Sequence, residues 1–173
     1  MGADTATDRR PTPEVIDGVA ALRDRAGSRL GTSRWVTISQ EMVNAFAELT
    51  GDRQWIHVDP DRAKDGPFRS TVAHGFFTLS LSTDLLDDVF SVTGVGTILN
   101  YGLNRVRFPA PLPVGSRVCM HVTLAEAVEI LGGLQAVYRL EYEIEGQAKP
   151  CCVADLVFRY YGVAEPESPL VAT

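Results

Sequence analysis

From Val118 to Tyr160 the chain alternates apolar residues with polar or small ones, three times over. Val118, Met120, Val122 and Leu124 form the first run, and Leu134, Ala136, Tyr138, Leu140, Tyr142 and Ile144 the second. Cys152, Ala154, Leu156, Phe158 and Tyr160 form the third. A period of two places every second side chain on one face of a strand. Leu131-Gly132-Gly133 and Gly146 supply turns between consecutive runs, so the runs are predicted to pair antiparallel. Such a sheet is apolar on one face only and must wrap around something. Residues 97–108 switch apolar phase, from Leu99, Tyr101 and Leu103 to Val106 and Phe108. That switch predicts a bulge near Asn104 or Arg105, as a strongly curved sheet requires.

The partner of the sheet is visible upstream. From Ala73 to about Phe90 a helix is predicted that is apolar on nearly every side, with Phe76, Phe77, Leu79, Leu81, Leu85, Leu86 and Val89. Apolar residues all round a helix signal burial. Its hydroxyls at Thr78, Ser80, Ser82 and Thr83 are mostly accounted for by bonds to the preceding turn's carbonyls. Pro13 to about Ala26 carries an amphipathic helical pattern in Val15, Ile16, Val19, Ala20 and Leu22, ending near Gly27. Trp35–Ile38 reads as a short strand. Ser39 then caps a helix whose stripe is Met42, Val43, Phe46, Ala47 and Leu49, ending at Gly51. The expected fold is α+β, a long buried central helix inside a curved antiparallel sheet. Residues 13–163 are expected to form one domain, with residues 1–12 and 164–173 as flexible tails.

Composition narrows the function classes. A formal net charge of −6 over 173 residues argues against a general nucleic-acid or anionic-membrane binder. A small basic pocket remains compatible with it; Arg62, Lys64 and Arg69 either supply one or merely solvate the surface. No run approaches a membrane span, and Met1–Pro13 lacks the apolar core of a secretory signal. The three cysteines form no Cys-x-x-Cys pair and read as reduced structural residues, with Cys151 and Cys152 on opposite faces of a strand, which favours the cytoplasm. Histidines scattered through the chain show no metal-ligand spacing, and Gly94-Val95-Gly96 lacks the rest of a dinucleotide fingerprint. No metal and no cofactor are expected.

The chemistry concentrates in Gly51-Asp52-Arg53-Gln54-Trp55-Ile56-His57-Val58-Asp59-Pro60 and Ala73-His74-Gly75. A carboxylate and an imidazole able to hold one water between them are the equipment for adding water to a polarised double bond, or removing it. Asp52 falls just past a helix C-terminus, where the dipole opposes a carboxylate, so it needs other partners. Asp59 before Pro60 is a helix start running to about Lys64, so Asp59 is scaffold and His57 catalytic. The Gly75 amide, opening a helix, can hold a developing oxyanion. His74 is expected to bond structurally beside that helix start.

These motifs, with Asn100–Pro109 and Pro113-Val114-Gly115-Ser116, resemble the MaoC-like dehydratases or (R)-specific enoyl-CoA hydratases, in the branch related to nodulation protein N. The resemblance covers roughly residues 33–161. It implies a hot-dog fold, usually a homodimer, and an acyl-CoA substrate within fatty acid metabolism. It further implies Asp52 and His57 as the acid–base pair, in either order, and Gly75 as oxyanion donor. Gln54 stands where the family carries a water-holding asparagine, Trp55 where it has proline, and Thr83 where some members have a supporting serine. A hot-dog thioesterase and a non-catalytic acyl-thioester-binding protein stay open as alternatives.

Overall fold

The computed structural model describes residues 9–162; residues 164–173 and most of the 1–12 segment, expected to be tails, lie outside that range. The described part of the latter includes Arg10, which is ion-paired with Asp84 and Asp88.

The chain runs β1 (Glu14–Asp17), α1 (Gly18–Asp24), β2 (Arg29–Thr32), β3 (Val36–Thr37), α2 (Gln40–Thr50), α3 (Trp55–Val58) and α4 (Pro60–Lys64). There follow α5 (Gly75–Ser80), α6 (Ser82–Leu86), β4 (Phe90–Thr93), β5 (Thr97–Arg107), β6 (Arg117–Ile130), β7 (Gly133–Ile144) and β8 (Cys152–Tyr161). The main sheet has the order β2-β6-β7-β8-β5, all antiparallel, with β3 also pairing β6. β5 is therefore an edge strand.

The alternating runs become the core. Leu140 sits opposite Val122 on one side and Ala154 on the other, and the inward positions of β6 and β7 are at most 2% exposed. Three tyrosines go inside because each hydroxyl finds a partner. Tyr138 and Tyr160 share a hydrogen bond of 2.6 Å, and Tyr142 donates to the Leu79 carbonyl at 3.3 Å, tying sheet to α5. The register of β5 against β8 shifts between Leu103 and Arg105, where the phase switch places a bulge, and again between Asn100 and Gly102. All three cysteines are buried and free.

Two expectations are corrected. The segment predicted as one helix from Pro13 to Ala26 begins as strand β1, parallel to β4, and turns helical only from Gly18. β-Branched Val15 and Ile16 suit a pleated surface, and Gly18 at φ +78° redirects the chain. The central helix is neither continuous nor buried all round. It breaks at Leu81 into α5 and α6, and Phe90 opens a strand. Ser80 and Thr78 bond back to the Phe77 and His74 carbonyls, at 2.7 and 3.2 Å, a habit that bends helices. Phe76 is 74% exposed, and Thr83 is exposed too.

Candidate active site

Three short helices deliver the site. α2 starts where Ser39 Oγ accepts the Met42 N–H at 3.3 Å and ends at Gly51, φ +78°. Glycine takes this left-handed turn without a Cβ penalty, and Asp52 follows it directly. α4 begins with the Asp59 carboxylate accepting the Arg62 N–H at 3.0 Å and Pro60 in the first turn. That cap holds the far end of α3, on which His57 sits.

His57 is 7% exposed, with Nδ1 2.6 Å from the Val72 carbonyl. A carbonyl only accepts, so Nδ1 carries the proton and Nε2 keeps its lone pair. The bond is braced on both sides. The Val72 N–H donates to the Ile56 carbonyl at 3.0 Å, Gln40 Nε2 donates to the His57 carbonyl at 2.7 Å, and Thr71 donates to Gln40 Oε1 at 2.5 Å.

His74 joins the two halves. Its Nε2–H donates to the Asp52 carbonyl at 2.9 Å, and its ring stacks on His57 with centroids 3.7 Å apart and 26° between planes. Phe46 packs against it at 5.1 Å. His74 Nδ1 is buried without a hydrogen-bond partner among the described residues. An Asp52 carboxylate oxygen and one nitrogen from each histidine lie within 4.8 Å of one another. The Asp52 carboxylate is exposed and bonds to no other described residue, so the partners the sequence reading called for are not protein groups within that range.

A cavity of about 280 Å³ joins Asp52, His57, His74 and Gly75 between the rings of Phe46 and Phe76. Gly75 is the first residue of α5, so its N–H has no partner within the helix. A Cβ there would lie 2.9 Å from two ring carbons of Phe108. Gln54 and Thr83 are exposed and do not line this cavity. Lys64 is bonded to Asp61 at 2.7 Å and Arg62 lies over the Trp55 ring at 4.4 Å, so both cations are engaged locally.

Sequence spacing concealed two groupings that can each offer three metal-ligand atoms: Asp52–His57–His74, and Cys119–His121–Glu143 on β6 and β7. The expectation of no such cluster is corrected to that extent. In the second group His121 is already bonded to Glu143 at 2.8 Å and lies 2.9 Å from Arg29 Nη2. Burial pushes the Cys119 thiol up to about 12, away from the thiolate a metal needs. The role of Phe46 and Phe76 as cavity walls and the His57–His74 stack were also missed; the adjacency of His74 to Gly75 was the only available signal.

A MaoC-like domain model matches residues 22–139. The chain belongs to the MaoC-like family. It is 54% identical over 148 residues to 3-hydroxyacyl-thioester dehydratase Z of Mycobacterium tuberculosis, covering 84% of this chain and 97% of that one. It is 40% identical over 139 residues to nodulation protein N of Rhizobium meliloti, covering 76% and 83%. The fold matches the unliganded R-hydratase of Pseudomonas aeruginosa with a TM-score of 0.66 at 19% identity, over 90% of this chain and 96% of that one. The α+β architecture is thus the hot-dog fold of the MaoC-like proteins, as the motifs implied. Among the described residues no helix is long and apolar enough to cross a membrane.

Proposed function

We propose that this MaoC-like hydro-lyase adds water reversibly to a trans-2-enoyl-CoA, giving an (R)-3-hydroxyacyl-CoA. The observation that carries the reading is the convergence of Asp52, His57 and the free Gly75 N–H on one cavity, with the His57 tautomer fixed by the Val72 carbonyl. In hydration, water attacks C3, C2 gains a proton, and negative charge gathers on the thioester oxygen. His57 Nε2 takes the proton from water and Asp52 supplies the one to C2; dehydration runs the same steps backwards. Because the two groups share a site, they act as a coupled pair and the roles can be exchanged. The Gly75 N–H holds the thioester oxygen as its charge grows. Phe46 and Phe76 line the cavity beside these groups.

The protein works as a homodimer without a cofactor, in cytoplasmic fatty acid metabolism. Support for the dimer comes from β5, an edge strand whose Ile98, Leu99, Tyr101 and Leu103 are 42–57% exposed. Unpaired backbone beside apolar side chains is a template for pairing with another chain. Support for a reducing compartment comes from the three free, buried thiols.

The test is incubation with crotonoyl-CoA, following loss of the conjugated double bond and analysing the product with an (R)-specific dehydrogenase. Formation of the (R)-3-hydroxy thioester supports the reading. Release of free CoA instead would make the protein a thioesterase, and binding without turnover across short, medium and long enoyl chains would make it a binding protein.

A further inference from the structure

Each histidine of the site turns one ring nitrogen to a backbone carbonyl and leaves the other without a bond to a described residue. His57 Nδ1–H donates to the Val72 carbonyl at 2.6 Å, and His74 Nε2–H to the Asp52 carbonyl at 2.9 Å. Both tautomers are thereby set, with lone pairs on His57 Nε2 and His74 Nδ1. Histidines that ligate a metal are held in this way: the second nitrogen donates to a carbonyl or carboxylate, which fixes the ring and makes the ligating nitrogen more basic. The hydration chemistry leaves His74 Nδ1 unused. His74 is 3% exposed, and its Nδ1 is buried with no partner among the described residues. It takes no cap bond from α5 either, although His74 directly precedes that helix. A lone pair enclosed without a donor is destabilising, and a bound cation relieves it.

The third donor is the Asp52 carboxylate. One of its oxygens and one nitrogen from each ring lie within 4.8 Å of one another. Zn²⁺ sits about 2.0–2.2 Å from such ligands, which places tetrahedral donors roughly 3.3 Å apart, so the three must draw together. The rings start close, with centroids 3.7 Å apart. Asp52 can supply most of the movement, because its carboxylate is exposed and bonded to no other described residue. Two imidazoles and a carboxylate suit Zn²⁺ and its first-row neighbours, whereas Mg²⁺ and Ca²⁺ take oxygen ligands. The cavity of about 280 Å³ leaves room for water in the fourth position.

We propose that Asp52, His57 and His74 bind Zn²⁺, and that the ion switches the enzyme off. The switch rests on the hydratase reading above; the site does not. Coordination takes the His57 Nε2 lone pair that accepts the proton of water. It also holds Asp52 in the unprotonated form, since a metal ligand must be deprotonated. Neither half of the acid–base pair can then act, and removal of the ion restores both.

The test titrates metal-free wild type with Zn²⁺ by calorimetry and with Co²⁺ by visible absorption, alongside hydration of crotonoyl-CoA with and without EDTA. The expected result is one ion per chain, loss of hydration that follows the binding curve, and recovery with EDTA. His74→Gln keeps an N–H for the Asp52 carbonyl but loses Nδ1. Asp52→Asn removes the charged ligand from an exposed position and covers the case in which His74→Gln does not fold. Each should weaken Zn²⁺ binding by at least about tenfold, since losing even an outer partner of a metal ligand costs about 10–100-fold. His121→Gln, in the other three-donor grouping, should leave the affinity as it is. Absence of binding to wild type, an affinity unmoved by both site variants, or a loss confined to His121→Gln overturns the site. Zn²⁺ bound at this site with hydration undiminished overturns the switch. If wild type does not hydrate crotonoyl-CoA even without metal, the hydratase reading fails on its own, and calorimetry on the same variants still decides the site.

Discussion

Adding one methyl group at Gly75 should slow the enzyme while leaving it folded. The built Cβ of Gly75→Ala stands 2.9 Å from Phe108 Cδ2 and Cε2 and 3.1 Å from Cγ. Carbon atoms prefer about 3.5–4.0 Å, so the ring or the helix start must move by roughly half an ångström or more. Phe108 is 42% exposed and can swing outward, which keeps the overpacking cost near the low end of the usual range, about 1 kcal/mol. Alanine in a helix returns about 0.5–1 kcal/mol relative to glycine. Net destabilisation should stay below about 1 kcal/mol, a Tm change of no more than about 4 °C for a chain of this size. The reaction is less forgiving, because the same displacement moves the N–H that meets the thioester oxygen. Misplacement by about 1 Å can cost about 100-fold, so kcat on crotonoyl-CoA should fall by about 10–100-fold. In a Phe108→Ala background the methyl group has room, and adding Gly75→Ala should cost less than about threefold. Steady-state kinetics on the four proteins, with thermal melts, measures this. Full activity of Gly75→Ala would refute the role of the amide, and an undiminished loss in the Phe108→Ala background would refute the steric cause.

Other expectations follow from the same contacts. The Asp88 carboxylate is fully enclosed, accepts from Arg34 Nη1 at 2.7 Å and from the Arg34 backbone at 3.1 Å, and pairs with Arg10 at 3.2 Å; Asp88→Ala removes these acceptors while both arginines keep Asp84, and should cost about 1–3 kcal/mol in urea unfolding. Leu103→Lys on the β5 edge should shift a dimer to monomer in light scattering, whereas a monomeric wild type would contradict the edge-pairing account. Burial pushes the Cys119, Cys151 and Cys152 thiols up to about 12 from an ordinary 9.0. The native state therefore holds those protons longer than the unfolded one, so stability should be flat below pH 9 and decline from about pH 9 toward 12. Iodoacetamide should label none of the three at pH 8 until the protein is unfolded.

Local signals read from the sequence survived wherever a physical rule was decided within a few residues. The cap at Ser39, the turn at Gly51, the cap at Asp59 and the inward faces of β6, β7 and β8 are all of this kind. Expectations that depended on distant partners fared worse. Strand β1 exists because β4 lies beside it, and nothing near Val15 announces that partner. The break at Leu81 and the exposure of Phe76 come from how α5 meets the sheet, so an apolar run overstated burial. In the site, Asp52, His57 and Gly75 meet as the motif spacing implied. The stack of His74 on His57, and the bond from His74 to the Asp52 carbonyl, required the fold. Gln54 and Thr83 were drawn from resemblance alone, and both lie outside the cavity.

Single-turnover hydration of crotonoyl-CoA by wild type, Asp52→Asn and His57→Gln tests the acid–base account most directly. Both variants keep side-chain size and hydrogen bonding while losing the proton chemistry, so binding should persist. The account predicts that each slows hydration by about 10²–10⁴-fold, with the double variant little worse than either single one. A variant retaining wild-type turnover, or two losses that simply multiply, would contradict a pair acting on one water.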